Sequence, residues 1–386
     1  MITRNSIQGK FPIKTLEEVA EFLDNLRRPI TASNRESGPY PYYGANGQQD
    51  SVADYIFDEP LILLAEDGGL FDQPDRGIAY AIEGKTWVNN HAHVLRPRKY
   101  VDIRFLHRVL ENYDVTPWIT GSTRAKLTKG AAAKIEIPLP PLAEQKRIAA
   151  ILDKADAIRR KLQQSLRLSD DFLRSVFLDM FGDPVTNPMG WPVLDLISII
   201  GDTFRNGLSP STSGKVPGQV LTLSAITSGA FAPQYLRDAM FDREPSRNQI
   251  VTKDTFLICR GNGNRSMVGI GVFPEADMPT VSFPDTMIAC EIDPARTEPE
   301  YLQAMWSTKR VRNQIDAGAR TTNGTFKVNQ ALLGGIDFPL PPLTLQKKFS
   351  CVAKALMSRA IQLSETATFS ENLFSSLQQR AFRGEL

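Results

Sequence analysis

The amino-acid sequence predicts an α+β protein built twice over: two globular heads separated by two long helices that pair as an antiparallel coiled coil. Three observations predict it: the length of the chain, a proline-rich motif that occurs twice at one offset, and a stretch free of Gly and Pro after the motif. A chain of 386 residues exceeds what one hydrophobic core usually serves, and its 42% hydrophobic residues suffice to fill a core in each half.

The repeat comes first, because self-similarity decides the organisation before any local pattern does. Residues 135–148 read IEIPLPPLAEQKRI and residues 336–349 read IDFPLPPLTLQKKF. Pro138, Leu139, Pro140, Pro141 and Leu142 thus recur as Pro339, Leu340, Pro341, Pro342 and Leu343, an offset of 201. The same offset pairs Lys126 and Leu127 with Lys327 and Val328 upstream, and Phe181 with Phe382 downstream. A fainter echo sets Phe11, Pro12 and Leu16 against Trp191, Pro192 and Leu196 at an offset of 180, so the second copy holds about 21 more residues between its start and its proline motif. The expected plan is a first head at residues 1–141, a first spacer helix at 142–186, a second head at 187–342 and a second spacer helix at 343–386.

After Leu142 no Gly or Pro occurs until Gly182. Such a stretch of about 40 residues, at 1.5 Å per residue, makes a rod of roughly 60 Å. The proline dipeptide enforces extended backbone before it and fits the first turn of the helix after it. Apolar residues then recur at steps of three and four: Ile148, Ile151, Ala155, Ile158 and Leu162, followed by Phe172 and Val176. The second helix matches with Phe349, Val352, Leu356, Leu363, Leu373 and Leu377, Arg359 breaking the pattern opposite Ile158. One helix leads away from each head, so antiparallel pairing would set one head at each end of a ruler. Ser165, Ser169, Thr366 and Ser370 interrupt the apolar pattern at matching places, either as a register device or as plain surface.

The heads read as mixed. Short apolar or alternating runs such as DYIFDEPLILLAED, GKTWVNNHAHVLRP, DTFLICRGN and DTMIACEID, bounded by Gly, Asn, Asp and Pro, predict strands. TLEEVAEFLDNLRR, IRFLHRVLEN and PEYLQAMWSTKRVRNQID carry helical patterns.

Composition excludes several classes. The net charge is +2, and residues 10–141 and 190–342 sum to about −2 and about −1, so nucleic acid cannot be gripped by the whole surface and contact must come from local patches. No run of eighteen apolar residues and no leader-like N-terminus is present, so neither membrane insertion nor export is expected and the cytoplasm is the expected location. Cys259, Cys290 and Cys351 lie far apart, which suits a reducing compartment, and each reads as a small buried hydrophobe. No glycine-rich cofactor loop, no Asn/Asp-Pro-Pro-Tyr/Phe loop and no carboxylate cluster with a nearby lysine stands out, so no catalytic residue is expected. His91 and His93 lack an evident third ligand, so no metal is expected, and the GNGN at residues 261–264 is no dinucleotide fingerprint.

Candidate DNA contacts come from local charge and residue type. Residues 115–135 hold no acid but carry Arg124, Lys126, Lys129 and Lys134. Residues 301–336 hold only Asp316 against Lys309, Arg310, Arg312, Arg320 and Lys327. Two cation excesses at matching places suit phosphate contact, with Ser122, Thr123, Thr321 and Asn323 as neutral donors; the alternative is solvated charge. In YPYYGANG, Tyr40, Tyr42 and Tyr43 beside Asn46 either approach a groove or pack under a tight turn. In CRGNGNRSM, Arg260, Asn262, Asn264 and Arg265 are residue types that pair bidentately with guanine and adenine edges, in a loop that also reads simply as a turn.

With these segments in place, the chain resembles the specificity subunits of type I restriction-modification systems over essentially its whole length. The resemblance rests on the two IPLPPLAEQKRIAAILD-like segments, YPYYGANG at 40–47, GSTRAKLTKG at 121–130, TTNGTFKVN at 321–329 and the final AFRGEL. It implies two target recognition domains, each reading one half of an asymmetric bipartite site in double-stranded DNA. It further implies two modification subunits that methylate adenine with S-adenosylmethionine, and restriction subunits that use ATP and Mg. Cofactors then belong to the partners, and this chain carries none. Arg359 and the replacement of Glu144 by Leu345 depart from the regular pattern. The competing reading is a non-catalytic coiled-coil scaffold for other proteins.

Overall fold

A computed structural model describes residues 2–71, 77–121, 125–322 and 324–386. Each copy enters and leaves its head through two adjacent strands. In the first, Ile13–Thr15 pairs antiparallel with Glu136–Pro138, and the Leu139 amide donates to the Pro12 carbonyl at 2.8 Å. In the second, Val193–Asp195 pairs with Asp337–Pro339, and the Leu340 amide donates to the Pro192 carbonyl at 2.8 Å. The two echoes in the sequence are therefore the two sides of one ladder, and proline is tolerated because both strands are edges.

Between these strands each head folds two four-stranded sheets with one shared strand order. In the first head Leu61–Ala65 lies between Ala92–Pro97 and Ala79–Ile82, with Ala20–Phe22 beyond Ala92–Pro97. In the second, Thr255–Cys259 lies between Met287–Glu291 and Gly271–Val272, with Arg205–Asn206 beyond. Both faces of the central strand are buried: Ile62 and Leu64 face one core and Leu61 and Leu63 another, while Phe256 and Ile258 divide likewise from Leu257 and Cys259. Burial on both sides explains why LILLA and TFLIC are continuously apolar instead of alternating.

The second sheet orders Gly47–Val52, Tyr40–Gly44, Lys85–Val88 and Phe57–Asp58 in the first head, and Leu236–Phe241, Val216–Leu221, Met278–Ser282 and Ile250–Val251 in the second. In each, the second strand runs antiparallel to the first and parallel to the third. The heads share a topology although their sequences differ almost throughout.

Two expectations need correction here. TLEEVAEFLDNLRR is helical only at Leu16–Val19, where Thr15 and Glu18 form a capping box; Ala20–Phe22 then becomes a strand. Leu16, Val19, Ala20 and Leu23 are buried at helical spacing, but pairing of Ala20–Phe22 with Leu95–Pro97 overrides the local propensity. Of the cysteines, Cys259 and Cys290 are buried as expected, whereas Cys351 is exposed on the second long helix. Burial pushes the Cys259 thiol up to about 11. The expected helices Ile103–Leu110, Pro299–Trp306 and Lys309–Gly318 form, the last two separated at Ser307 and Thr308.

The long helices span Leu142–Phe181 and Leu343–Arg383. The chain divides into two compact units, one of residues 1–164 with 363–386 and the other of residues 165–362, so each unit holds half of each long helix. Within the first unit the halves run antiparallel. Arg147 donates to the Leu386 carbonyl at 3.1 Å, while further along Arg159 and Gln163 reach back to Glu371 at 3.1 and 2.7 Å. Within the second unit Phe177 and Phe181 pack on Phe349, ring centroids 5.6 and 5.5 Å apart.

Buried and half-buried positions follow one heptad: 148, 152, 155, 159, 162, 166, 169, 173, 176 and 180 in the first helix, and the residues 201 further on in the second. Ile148, Ala155, Leu162, Val176, Phe349, Leu356, Leu363 and Leu377 keep their expected seam places, and Ile151 and Val352 flank it half-buried. Ile158, Phe172 and Leu373 do not: they are 58%, 55% and 46% exposed. The apolar reading slipped by one residue where the seam is polar or small. The seam residue is Arg159, held by Asp156 at 2.8 Å and stacked 5.0 Å over Phe374, and its counterpart is Ala360, not Arg359. Ser169 and Ser370 do lie in the seam.

One buried side chain per copy locks helix to head. The Gln145 carbonyl oxygen accepts from the Asp102 amide at 2.8 Å, and its nitrogen donates to the Tyr100 and Pro140 carbonyls at 3.1 and 2.8 Å. At the same offset, Gln346 accepts from the Glu298 amide and Thr297 hydroxyl, both at 3.0 Å, and donates to the Arg296 and Pro341 carbonyls at 3.2 and 2.8 Å. No described helix is long and apolar enough to cross a membrane.

Candidate nucleic-acid interface

In the second head two candidate stretches far apart in sequence meet in one small sheet. Gly261–Asn262 pairs antiparallel with Thr325–Lys327, which pairs antiparallel with Arg320–Thr322. The register sets Lys327 between Gly261 and Arg320. Arg320, Thr321 and Lys327 are exposed, and among the described residues neither cation has an acidic partner. Like charges directly opposite weaken a ladder, so the pair favours an anion laid across it.

The neighbouring loop is built from its own side chains. Asn262 accepts from the Asn264 amide at 2.8 Å, and Asn264 caps the Ser266 amide at 3.1 Å. Arg260 donates to the Asp285 carbonyl at 3.2 Å. Arg265 donates to the Asp316 carbonyl at 2.7 Å and lies 5.7 Å over the Phe326 ring. The asparagine carbonyls are committed to the turn, while Asn264 and Arg265 remain on the surface.

The first head repeats this arrangement around Lys126, which bridges Thr120 on one side and Asp67 on the other. The Leu127 amide donates to the Glu66 carbonyl at 2.8 Å, as the Val328 amide donates to the Arg260 carbonyl at 2.9 Å. Glu66 therefore stands where the second head has Arg260. Ser122, Thr123 and Arg124, with Asn323 in the second head, lie outside the described residues. Lys129 is exposed, its ammonium 5.5 Å over the Phe22 ring.

Lys126 is not a free cation, since its ammonium is 3.2 Å from Glu66. Glu66 in turn belongs to a buried ionic cluster with Arg27 at 2.6 Å and His93 at 3.6 Å, and His93 is 2.7 Å from Asp24. Burial works to raise the Asp24 carboxyl, but the His93 contact, the Val94 amide and Arg27 outweigh it and hold the group below its ordinary value of 3.8. Asp24, Glu66 and His93 bring ligand atoms within 4.8 Å of one another, a grouping the sequence reading missed because Asp24 and Glu66 are remote from His93 along the chain. The other His93 nitrogen faces the Leu127 carbonyl at 2.8 Å, and Arg27 and Lys126 already neutralise the carboxylates. The cluster's chemistry is that of a structural clamp tying the Lys126 segment to the sheet.

The tyrosine loop divides. Tyr42 is 1% exposed, with its hydroxyl at the Ile30 amide and the Arg35 guanidinium 4.3 Å over its ring, so it packs under the turn and is corrected from DNA contact to core. Its place on a strand whose inner face meets the protein leaves the ring nowhere else to go. Tyr43 is half-buried against Tyr80, centroids 5.8 Å apart. Asn46 is exposed at the hairpin tip and donates to the Gly68 carbonyl at 3.0 Å.

Two heads of one strand topology, each followed by a long helix with the same heptad of covered positions, define a duplicated, two-headed protein. The type I restriction modification DNA specificity domain matches residues 9–168. A type I restriction enzyme specificity subunit from Haemophilus influenzae is 43% identical over 145 residues, 38% of this chain and 37% of that protein. The matched stretch thus spans well under half of that relative. The EcoKI specificity subunit of Escherichia coli strain K12 is 26% identical over 98% of this chain and 90% of its own length. The crystal structure of the S subunit of the type I system of M. genitalium superimposes with a TM-score of 0.63 at 15% identity, over 97% of this chain and 96% of that one, a likeness of fold. Over nearly its whole length the chain is thus similar to type I restriction enzyme specificity subunits, and residues 9–168 match their DNA specificity domain.

Proposed function

We propose that this chain is a type I specificity subunit that reads an asymmetric, bipartite site in double-stranded DNA, one half per head, and carries no catalytic group itself. The observation that carries this reading is one backbone topology used twice with different side chains at matching positions, as expected where two half-sites of different sequence are read from one frame. The paired cations at Arg320 and Lys327 would contact phosphate.

The partners would be two modification subunits, holding S-adenosylmethionine, and restriction subunits, holding ATP and Mg. Two docking faces are supported by exposed apolar pairs at the repeat offset: Leu168 and Phe172, 58% and 55% exposed, and Phe369 and Leu373, 68% and 46% exposed. Each pair is four residues apart on one helix face, and apolar groups so placed gain by being covered. Since the heads are nearly neutral, the isolated chain is expected to bind DNA weakly, with most of the cationic grip supplied by its partners.

The test is sequencing for N6-methyladenine in cells expressing the chain with its modification subunit, against cells lacking the chain. A bipartite methylated motif dependent on the chain is the expected result. Complex formation without any such motif would favour the scaffold reading, as would binding that is insensitive to salt.

A further inference from the structure

Each head has a cleft beside the same hairpin of its second sheet. In the first head a cavity of about 450 Å³ lies among Arg35, Asn46, Gln49, Asn89, Asn90 and His91, over Tyr42. In the second an open groove of about 710 Å³ lies among Thr212, Pro217, Gln219, Arg237, Asp238 and Met240. The positions correspond. Tyr42 and Gln219 each open the parallel pairing with the third strand, facing Trp87 and Val281, and their antiparallel partners are Asp50 and Asp238.

The linings differ. The first cleft is rich in amides, the side chains that pair bidentately with adenine, its Arg35 being engaged by Asp50 and the Tyr42 ring, whereas the second offers Arg237, the type that pairs with guanine. Two of the amides hold each other. Asn89, 3% exposed, donates to the Gln49 carbonyl oxygen at 3.2 Å and accepts from the His91 amide at 2.8 Å. Gln49 lies so close over Gly44 that a Cβ there would come within 2.3 Å of its nitrogen. Gln49 is thereby held between Asn89 and Gly44 while remaining exposed, and Asn90 is exposed at the same rim. In the second cleft Gln219 donates to Asp238 at 3.2 Å.

We propose that these clefts are the base-reading surfaces, with Gln49 and Asn90 contacting bases in the first head, Asn89 positioning Gln49, and Arg237 contacting bases in the second. The inference rests on the DNA-reading function proposed above. The experiment expresses the full chain with its modification subunit and sequences N6-methyladenine for the wild type and for Gln49→Ala, Asn90→Ala and Arg237→Ala, with Gln49→Glu and Arg237→Lys as shape-preserving companions. The first two should relax one half of the motif and Arg237→Ala the other, methylation at the cognate base pattern falling roughly ten-fold or more while spacing stays unchanged. A wild-type motif left unaltered by all variants would overturn the clefts alone, as would one altered equally in both halves. A wild type that yields no motif would remove the DNA-reading function itself, and this inference with it.

Discussion

Glu66 and Arg260 occupy one backbone position in the two heads, each lending its carbonyl to the matching strand, at 2.8 and 2.9 Å, yet they carry opposite charge. In the first head the side chain turns inward and anchors an ionic cluster; in the second it lies at the edge of a basic sheet. What the two heads hold in common is backbone geometry, secured by the paired strands and the glutamines. What they do not share is side-chain charge at the surface, the freedom that the proposed pair of readers would need.

The largest effect should come from the shared frame. Gln145→Ala and Gln346→Ala each leave buried amide and carbonyl groups without partners, and each should cost about 3 kcal/mol or more in denaturant unfolding. Costs differing strongly between the two would break the equivalence of the copies.

Next comes the contrast between the heads. Glu66→Ala removes the nearest carboxylate from Arg27 and Lys126, leaving Arg27 only Asp24 at 3.5 Å and backbone carbonyls, and should destabilise by about 2 kcal/mol, whereas Arg260→Ala, at a partly exposed site, should stay within about 1 kcal/mol. Because Asp24 is held below 3.8, its stabilisation is present above that value and is lost as pH falls through the lowered folded-state value. Acid titration of hydrogen exchange should therefore show the strands around His93 loosening below about pH 4, and Glu66→Ala should change that profile.

The helices give a smaller effect. Leu152→Ala, in the buried seam, should lose about 2 to 3 kcal/mol, and Ile158→Ala about 0.5 or less, as read by thermal unfolding. Equal losses would refute the heptad phase. The smallest change should be in DNA affinity: Arg320→Ala with Lys327→Ala should lower the salt dependence of binding by the assembled complex by about two ion equivalents without altering the methylated motif.

The frame was legible in the sequence because it is written twice. Pro138 to Leu142 and their counterparts announce the helix starts, and Pro12 and Pro192 announce the strands that pair beside them. The helix phase was half legible: Leu162 and Leu363 fix it, but Arg159 sits in the seam through ion pairing with Asp156 and Glu371, which no apolar pattern reveals. The basic sheet was partly legible, since Arg320 and Lys327 showed as a local excess of charge, though its pairing with Gly261–Asn262 did not. The clefts were not legible beyond Asn46. Arg35, Gln49, Asn89 and Asn90 come from three separate segments that only sheet pairing brings together, and the adjacent asparagines in WVNNH were the one local sign. Tyr42 misled because an aromatic beside glycines looks alike whether it faces solvent or core.

The doorway strands have one more consequence. A head that enters through Ile13–Thr15 and leaves through Glu136–Pro138 returns the chain to where it departed, so the helix that follows does not register how much was folded in between. The second head holds about 21 more residues between its doorway strands and still delivers Leu343 to its helix through the same ladder. Each head is in this sense a cartridge in a fixed socket: its contents can be lengthened, shortened or exchanged wholesale while the socket, made of a few prolines and one glutamine, goes on fitting.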